Sequence, residues 1–482
     1  MILSVPGDKS ISHRAAILAA LSDGLCTITG FLESEDCLNT LAALRQLGIK
    51  IEHSASGTLV IHGAAGKITP PTTVLKPVFK VAEADEEQGA EGAQELSGLT
   101  SVSSDPRLCG DDVPARRSSS PSSVDCENRF LFCGNSGTTM RLLAGLLAAQ
   151  PFSSQLVGDA SLSSRPMKRV IEPLAMMGAG FNADGEKKTP PLFIHGKNLQ
   201  PICYELPIPS AQVKSAILLA SLFTTGETTI IEPIACRDHT ERMFEAFQIE
   251  HACSVDEQGR RIIKITGPQR PIACDVAIPG DISSAAFWIV AAAANVDSHL
   301  EIQNVGLNPT RTGILNVLHR MGAKISITEQ RGQGGEFAGT IKICGTQLHG
   351  TIIEGAEIPN VIDELPILAV AGALAHGTTT IKNAVELRVK ETDRITAIVT
   401  NLRALGAEII EHDDGMEIHG GKPLRGAMVK SYGDHRIAMA MAIAGLFTRG
   451  KVTLDDTTCI ATSYPGFEQT LALLHNGVTS GE

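Results

Sequence analysis

Aromatic residues are scarce in this chain, which limits how its interior can be built. Phenylalanine, tryptophan and tyrosine together make up 4% of 482 residues, and there is a single tryptophan. Hydrophobic residues still account for 43% of the chain, mainly as alanine, isoleucine, leucine and valine. A chain of this length and composition can bury one or two large cores of closely packed helices and strands.

Long apolar runs and an excess of basic residues are also missing. The apolar stretches are shorter than the ~20 residues that a membrane helix needs, and the N-terminus lacks the apolar core of a signal peptide. The net charge is −12 and the isoelectric point is near 5.6, which argues against a general nucleic-acid binder. We therefore expect no membrane partner and no nucleic-acid partner, and any basic site must be local.

Common catalytic and metal-binding signatures are absent too. The 11 cysteines are odd in number and scattered, with no CxxC pair, so reduced thiols in a cytoplasmic protein are the simplest interpretation. The sequence contains no HExxH metal motif, no GxSxG nucleophile elbow and no phosphate loop of the G-x-x-x-x-G-K-[ST] spacing. The expected metal complement is therefore none.

What is present is a repeat. An apolar helix pattern, a polar or glycine break and a short β-branched strand recur six times, with a period of about 70–80 residues. An amphipathic helix that ends in an LGA-like turn often follows. The predicted apolar helices contain SHRAAILAAL, TTMRLLAGLLAA, AQVKSAILLASLF, SSAAFWIVAAAA, ELPILAVAGALA and HRIAMAMAIAGLF. We predict an α/β protein of six similar units.

One segment interrupts this period. Residues 69–124 are rich in proline, serine, glycine and acidic side chains, and they show no sustained periodicity. Such a composition cannot easily offset the entropy lost on ordering, so the sequence predicts a largely disordered insertion. A partner-binding or regulatory role for the insertion is the alternative.

Polar segments stand directly before the six apolar helices. They are GDKS, GNSGT, PSAQ, GDISS, NVID and YGDH. Helix N-termini favour anions, and adjacent units could bring all six to one cleft. Helix capping explains the serines and aspartates, but it does not require the cations nearby. These cations are Lys9, Arg14, Arg141, Arg165, Lys214, Arg237 and Arg436. Together they predict a site for a small molecule that carries phosphate and carboxylate groups.

The segment RVKETDR at 388–394 concentrates charge between apolar elements. Arginine beside lysine suggests an anionic ligand, and the carboxylate of Glu391 between them suggests proton transfer. The alternative is a salt-bridged helix start capped by Thr392 or Asp393. The segment alone leaves both interpretations open.

Seven motifs together resemble those of the 5-enolpyruvylshikimate-3-phosphate synthases, and the SAQVKS and RDHTER forms resemble the class II branch. The motifs are PGDKSISHR (6–14), CGNSGTTMRLLAG (133–145), SSRPM (163–167), PSAQVKSAILLA (209–220), IDELP (362–366), RVKETDR (388–394) and GDHRIAMA (433–440). Each is weak alone, but their shared order is specific. The resemblance spans the chain except 69–124.

The resemblance implies a fold and a domain arrangement. The expected fold is a two-domain, inside-out α/β barrel built from six βαβαββ repeats. Residues 1–7 plus 279–482 would form one domain and residues 8–278 the other, with the insertion inside the second. The active site would lie between the two domains, which would close on the first substrate. A monomer is expected.

The resemblance also implies a reaction. The enolpyruvyl group of phosphoenolpyruvate would move to the 5-hydroxyl of shikimate 3-phosphate by addition and elimination, with release of phosphate. Glu391 would donate a proton to the methylene carbon and later take it back, Asp363 would deprotonate the 5-hydroxyl, and Lys9 would bridge both substrates. No metal or organic cofactor is implied.

The implied substrate contacts form two overlapping sets. The phosphoenolpyruvate set contains Lys9, Asn135, Gly137, Arg165, Gln212, Arg394 and Arg436. The shikimate 3-phosphate set contains Lys9, Ser10, Arg14, Ser210, Ala211, Gln212, Arg237, Asp363 and Lys390.

Two positions depart from the enteric branch of the family. Thr462 stands where that branch has a lysine that contacts phosphoenolpyruvate, and Glu386 stands where it has an asparagine. Gly137 implies sensitivity to the inhibitor glyphosate, because a side chain there crowds the inhibitor more than the substrate.

Three alternatives stand beside this interpretation. One is the sister transferase that acts on UDP-N-acetylglucosamine, although its cysteine-bearing loop is not evident. Another is a catalytically inactive repeat protein that binds anions or a partner, although Lys9, Asp363, Glu391 and Arg436 are all retained. RNA-end processing on a related fold fits poorly with the acidic charge balance.

Overall fold

The structure is a computed structural model that describes residues 1–54, 57–71, 130–296, 298–331 and 334–479. The predicted insertion at 69–124 therefore lies almost entirely outside the described residues. The α-helices are α1 (Lys9–Leu21), α2 (Glu35–Gln46), α3 (Gly137–Ala148), α4 (Ala160–Ser163), α5 (Lys168–Met176), α6 (Ala211–Ser221), α7 (His239–Ala246), α8 (Ile282–Ala294), α9 (Gly313–Arg320), α10 (Ile358–Val361), α11 (Leu365–Leu374), α12 (Arg394–Ala404), α13 (His435–Gly445) and α14 (Phe467–Thr479).

The strands of the first part of the chain are β1 (Ile2–Ser4), β2 (Leu25–Thr29), β3 (Lys50–His53), β4 (Leu59–His62), β5 (Phe130–Phe132), β6 (Ser153–Val157), β7 (Gly180–Asp184), β8 (Thr189–His195), β9 (Cys203–Glu205), β10 (Gly226–Glu232), β11 (His251–Val255), β12 (Arg261–Gly267) and β13 (Val276–Ala277). Those of the second part are β14 (His299–Gly306), β15 (Lys324–Arg331), β16 (Phe337–Cys344), β17 (Ile352–Ile353), β18 (Gly377–Ile381), β19 (Glu408–His412), β20 (Gly415–Gly420), β21 (Leu424–Arg425), β22 (Met428–Val429), β23 (Thr448–Arg449) and β24 (Thr453–Leu454). Short 3-10 turns cover Gly355–Glu357, Val385–Val389 and Thr458–Thr462.

The described strands form five four-stranded sheets with one common plan. In each, two parallel strands are followed by an antiparallel pair, as in the order β5-β6-β8-β7. The parallel strands β5 and β6 are linked by α3, since parallel neighbours need a crossover connection. The predicted α/β fold is confirmed, with the apolar helices and short strands in the predicted alternation.

The sixth unit is shorter than the other five. Its strands are two residues long and form two-stranded sheets, β21 with β23 and β22 with β24. The predicted strand in KVTLDD is limited to Thr453–Leu454. A 3-10 turn and α14 follow it in place of an antiparallel hairpin, and Phe467 of α14 stacks on Trp288 with ring centroids 4.8 Å apart.

The described apolar residues form two separate cores. One draws its buried residues from Ile11 to Ile278, and the other from Leu3 and from Ile282 to Phe467. Each is centred on three helices that are apolar nearly all round, α1, α3 and α6 in the first and α8, α11 and α13 in the second. A helix without a polar face must be enclosed on all sides, so these six helices form the interior.

The chain passes between the two cores twice. Strand β1 pairs with β14 of the later core, whereas β13 pairs with β2 of the earlier one. The two passages lie side by side, because the amide of Asp8 donates a hydrogen bond to the carbonyl of Pro279 at 2.8 Å. Gly7 and Gly280 form an isolated bridge at the same place. The two passages between the cores are therefore hydrogen-bonded to each other.

The described residues contain neither a membrane-spanning helix nor a disulfide bond. No helix among them combines the length and the apolar character that crossing a membrane would require. All nine cysteines within the described ranges carry free thiols.

Candidate active site

A cavity of about 550 Å³ lies where the N-termini of the six interior helices meet. Its wall contains residues at or just before the start of each helix, namely Lys9, Gly137, Gln212, Asp281, Asp363 and His435. The prediction that the six polar segments converge is therefore confirmed. Since α1, α3 and α6 belong to one core and α8, α11 and α13 to the other, both cores contribute to the cavity.

Five of the six helix starts are capped by a serine or aspartate side chain. Asp8, Ser136, Ser210, Asp281 and Asp434 each accept a hydrogen bond from a backbone amide in the first turn. None of the six helices has an acidic residue within its first turn. At α3 and α6, where the cap is a neutral serine, the positive end of the helix dipole is left to attract anions in the cavity, whereas at α1, α8 and α13 the capping aspartate already supplies a negative charge.

Glu391 lies between two arginines at the cavity wall. Its Oε2 accepts a hydrogen bond from Nη2 of Arg394 at 2.6 Å, and its Oε1 lies 3.4 Å from Nη1 of Arg165. Burial favours a raised pKa, but Arg394 and then Arg165 outweigh it and hold the pKa of Glu391 well below its usual range. The carboxylate is therefore ionised in the substrate-free protein.

Asp363 is the second cavity carboxylate, and it is surrounded by cations. Its Oδ2 accepts a hydrogen bond from Nη2 of Arg237 at 2.5 Å, while its Oδ1 lies 3.6 Å from Arg394 and 3.8 Å from Arg436. Burial opposes ionisation here as well, but Arg237, Arg436 and Lys390 keep the pKa of Asp363 well below its usual range. This carboxylate is therefore also ionised in the substrate-free protein.

Lys9 is the cation at the start of α1. Its ammonium group forms an ion pair with Asp36 of α2, and its backbone amide donates to Oδ2 of Asp281 at 3.2 Å. Burial favours a lowered pKa, but Asp36 outweighs it and the pKa of Lys9 is raised. Lys9 therefore stays protonated and presents a fixed positive charge to the cavity.

Comparison with known proteins identifies this arrangement. The family model described as EPSP synthase (3-phosphoshikimate 1-carboxyvinyltransferase) matches residues 2–77 and 110–471. This chain belongs to the EPSP synthase family. The internal stretch that the match omits, residues 78–109, lies inside the predicted insertion.

Individual relatives agree with the family model. A 3-phosphoshikimate 1-carboxyvinyltransferase from Akkermansia muciniphila is 48% identical over 473 residues, covering 98% of this chain and 96% of the relative. One from Desulforamulus reducens is 44% identical, with 97% and 95% coverage.

Solved structures extend this likeness to the fold. An EPSP synthase structure from Acinetobacter baumannii aligns with a TM-score of 0.76 at 38% identity, covering 98% of this chain and 95% of its own. The enolpyruvyl transferase NikO from Streptomyces tendae aligns with a TM-score of 0.69 at 16% identity, which shows a shared fold alone.

Most of the residues implied by the family resemblance meet at the cavity. Thirteen of the fifteen line its wall: Lys9, Ser10, Asn135, Gly137, Arg165, Ser210, Ala211, Gln212, Arg237, Asp363, Lys390, Glu391 and Arg436. They come from sequence positions more than 400 residues apart, so only the folded chain could bring them together.

The other two, Arg14 and Arg394, lie behind the wall. Arg14 is 5% exposed and donates to Oγ of Ser215 at 2.7 Å and to Oγ1 of Thr240 at 2.8 Å. Arg394 is 1% exposed, and its Nε donates to Oδ2 of Asp434 at 2.7 Å. In the substrate-free protein each arginine also donates a hydrogen bond to a wall residue, Arg14 to the carbonyl of Ser10 and Arg394 to Glu391.

Lys214 does not belong to the cavity, so its inclusion among the anion-binding cations was wrong. It is fully buried, and its Nζ lies 3.0 Å from Glu232 and 2.7 Å from Glu241. Two buried carboxylates already neutralise its charge. Lys214 occupies the fourth position of α6, where its side chain meets Glu232 of β10 and Glu241 of α7 rather than the cavity.

The two positions that depart from the enteric pattern have local partners. Glu386 lines the cavity and accepts a hydrogen bond from Nη1 of Arg169 at 3.0 Å. Thr462 is absent from the cavity wall, and its Oγ1 donates to the carbonyl of Cys459 at 2.7 Å. Glu386 is thus neutralised by a cation from the other core.

Several wall residues were not predicted individually from the sequence, including Asp36, Arg169, Asp281, Arg311 and His435, although Asp281 and His435 lie in the predicted segments GDISS and YGDH. His435 stands beside the predicted Arg436 in GDHR, so its position in that motif was an available signal. Burial, reinforced by Lys9 and Arg436, holds the pKa of His435 well below its usual range, so the ring is neutral at physiological pH.

Within the described ranges, no three histidine, cysteine, aspartate or glutamate side chains are grouped so that they could hold a metal ion. The carboxylates of the cavity face arginine and lysine instead.

Proposed function

We propose that this chain transfers the enolpyruvyl group of phosphoenolpyruvate to the 5-hydroxyl of shikimate 3-phosphate, giving 5-enolpyruvylshikimate 3-phosphate and phosphate. The observation that carries the proposal is the cavity at six helix N-termini, where Lys9, Asp363 and Glu391 meet a group of arginines. Two anionic substrates fit such a site, because helix dipoles and guanidinium groups both favour phosphate and carboxylate. The relatives described above carry the name of this activity.

Asp363 acts as the base for the acceptor hydroxyl. Its surrounding cations keep it ionised, so it accepts the hydroxyl proton as the oxygen attacks carbon 2 of phosphoenolpyruvate. Arg237 holds Asp363 from across the cavity and is also positioned to bind the acceptor phosphate.

Glu391 acts as the acid toward the methylene carbon, and substrate binding makes this possible. In the free protein Arg394 and Arg165 keep the pKa of Glu391 low. When phosphoenolpyruvate binds, the same arginines face its negative groups, so Glu391 loses part of their stabilisation and its pKa rises. Glu391 then donates a proton to the methylene carbon as the tetrahedral ketal forms.

The ketal breaks down by the reverse proton movement. Glu391 takes a proton from the methyl group, the double bond forms again, and the bond from carbon 2 to the phosphate oxygen breaks. Lys9, which stays protonated beside Asp36, stabilises the charge that develops on the departing phosphate. The proton taken up by Asp363 passes to the phosphate or to solvent, which returns Asp363 to its ionised form.

The remaining residues of the two implied sets, including Arg14 and Arg394 behind the wall, divide between the two substrates. Phosphoenolpyruvate is held by Arg165, Arg394 and Arg436, with Asn135, Gly137 and Gln212 alongside. Shikimate 3-phosphate is held by Ser10 and Arg14 at its carboxylate end. Its phosphate and ring hydroxyls are bound by Ser210, Ala211, Gln212, Arg237 and Lys390. Because Gly137 places no side chain beside the phosphoenolpyruvate site, we also propose that glyphosate inhibits the enzyme.

We further propose two domains, residues 1–7 plus 279–482 and residues 8–278. The support is that each hydrophobic core takes its buried residues from one of these sets alone. The enzyme is proposed to act as a monomer in the cytoplasm, with these two small molecules as its partners and without a metal or organic cofactor.

Phosphate release from phosphoenolpyruvate, with and without shikimate 3-phosphate, tests the function. We expect release only when both substrates are present. Glu391→Gln should lower kcat by about 100-fold or more, the usual contribution of an acid–base group, and Lys9→Met should abolish turnover. Glu408→Gln is the matched control, because Glu408 pairs with Lys422 on the exposed surface.

The outcomes separate the candidate functions. No phosphate release by folded protein that still binds both compounds would contradict the proposal. UDP-N-acetylglucosamine would then be the next acceptor, since the sister transferase shares the fold. Absence of release there too would favour a binding protein.

A further inference from the structure

Arg141 is a buried guanidinium at the cavity wall without an acidic partner. It lies in the second turn of α3 and is 6% exposed. Within the described ranges it forms no ion pair, and its Nε has no hydrogen-bond partner. Burial, together with neighbouring Arg169 and Arg165, lowers its pKa.

The two neighbouring arginines show what Arg141 lacks. Arg165 has Glu391 at 3.4 Å, and Arg169 has Glu386 at 3.0 Å. A buried charge with no counterion is destabilising, so we expect an unpaired arginine at the cavity wall to have a functional role. Its one side-chain hydrogen bond within the described ranges indicates what that role is.

This contact is a hydrogen bond to Gln212. Nη1 of Arg141 donates to Oε1 of Gln212 at 2.7 Å, and Nε2 of Gln212 donates to Oγ1 of Thr138 at 2.9 Å. Arginine can only donate, so the amide oxygen of Gln212 must face Arg141. The amide nitrogen then has one further N–H for the cavity, and Gln212 can only donate to a substrate oxygen.

We propose that Arg141 is a positioning residue that fixes the amide of Gln212 as a hydrogen-bond donor to the bound anions. The inference rests on the proposed function, in which Gln212 contacts both substrates. Without Arg141 the amide can rotate by half a turn and present its oxygen to negatively charged groups, which it would repel.

Gly137 belongs to the same arrangement. It lies four residues before Arg141 on α3, so the two positions are neighbours on one helix face. A Cβ atom at Gly137 would lie 2.6 Å from Nη1 of Arg141 and 3.4 Å from Nη1 of Arg165. A side chain at position 137 would thus displace Arg141 and, through it, Gln212.

Steady-state kinetics on purified variants test the proposal. Arg141→Met should raise KM for phosphoenolpyruvate by about 10-fold or more, as expected for losing a charged hydrogen bond. Arg141→Lys keeps a donor and should recover part of the loss. Arg45→Met is the matched control, because Arg45 lies exposed on α2. Unfolding midpoints for all variants identify any that fail to fold.

Double variants distinguish positioning from a general structural role. If Arg141 acts through Gln212, Arg141→Met should add less than about 2-fold to the loss caused by Gln212→Leu. Likewise, Gly137→Ala should be less damaging in the Arg141→Met background than alone. If the losses of the single variants multiply in both double variants, the residues act independently and the inference is wrong. An inactive wild-type protein would instead overturn the proposed function.

Discussion

At the scale of single residues, the site exchanges one set of anions for another. In the substrate-free protein, Glu391 and Asp363 occupy the arginines that are proposed to hold substrate: Arg165 and Arg394 for the former, and Arg237 and Arg436 for the latter. This pairing offsets the cost of burying so many cations. In the proposed mechanism, each substrate takes over part of that role and so changes the proton affinity of Glu391 or Asp363.

Arg237 offers a direct test of this exchange. Arg237→Gln removes the largest cationic influence on Asp363, leaving Arg436, Lys390 and Arg394, so the pKa of Asp363 should rise toward its usual range. A base with a higher pKa is protonated at higher pH. The acidic limb of the pH profile of kcat/KM should therefore move to higher pH, and KM for shikimate 3-phosphate should rise about 10-fold or more.

Two further variants complete that experiment. Arg237→Lys should restore part of the shift, because it returns a cation without the planar guanidinium. Arg260→Gln serves as the control, since Arg260 pairs with Asp256 at 2.8 Å away from the cavity. An unchanged acidic limb in Arg237→Gln would contradict the assigned coupling.

At the scale of elements, the segment that leads into α7 links the two cores. Three consecutive residues each contact a different part of the later core: Arg237 reaches Asp363, Asp238 accepts from Asn308 at 2.7 Å, and His239 lies 2.6 Å from Glu336. The position of Arg237 over Asp363 is therefore set by contacts beside the cavity as well as within it.

Helices α3 and α6 form a second element-scale feature, because they pack without a gap. A Cβ atom at Gly145 of α3 would lie 2.2 Å from the carbonyl oxygen of Ala216 on α6. Gly145→Ala must push the helices apart, and we expect it to destabilise the fold by about 1–3 kcal/mol. KM for both substrates should also rise, since α3 carries Gly137 and α6 carries Gln212.

Urea unfolding and steady-state kinetics measure these two effects. Gly445→Ala is the matched control, because a Cβ there meets Val452 at 3.4 Å, an ordinary contact distance, near the end of α13. Equal stability of the Gly145→Ala and Gly445→Ala variants would show that α3 and α6 tolerate separation.

At the scale of the whole molecule, buried carboxylates predict how stability depends on acid. The pKa of Asp238 is lowered from 3.8 to about 2, because hydrogen bonds from Arg242 and Asn308 outweigh burial. A lowered pKa contributes stability above the unfolded value, and this contribution is lost as pH falls through the folded value. Asp363 and Glu391 act in the same direction.

Urea unfolding between pH 6 and pH 2 measures this dependence. We expect stability to fall progressively below about pH 4.5, with Asp238 accounting for about 2 kcal/mol of the loss. The difference in stability between wild type and Asp238→Asn should therefore be larger at pH 6 than at pH 2. A difference that does not change with pH would contradict the prediction.

A second prediction at the scale of the whole molecule concerns the insertion, and it is made from the sequence alone. Brief proteolysis should cut first within 69–124, where composition predicts little ordered structure and where the family match leaves out residues 78–109. The cut protein should keep its rate of phosphate release. Activity that falls in step with cleavage would instead support a regulatory or partner-binding role.

Local sequence was enough to predict the repeating units, the apolar helices and the motifs of the family. These features are local, since hydrophobic periodicity and helix starts are written in neighbouring residues. It also carried enough motif order to predict the family. RVKETDR illustrates the limit, because its two interpretations are compatible in the folded chain. Asp393 caps α12 and pairs with Arg388, as a salt-bridged helix start requires, while Lys390 and Glu391 line the cavity.

Tertiary structure alone decided which cations face the cavity and which carboxylates neutralise them. Lys214 and Arg141 both stand near helix starts, yet one is enclosed by two carboxylates and the other has none. The shortened sixth unit and the hydrogen bond between Arg141 and Gln212 could not be predicted from the sequence either. Charge pairing depends on distances between residues far apart in the chain, and those distances exist only once the two cores have packed.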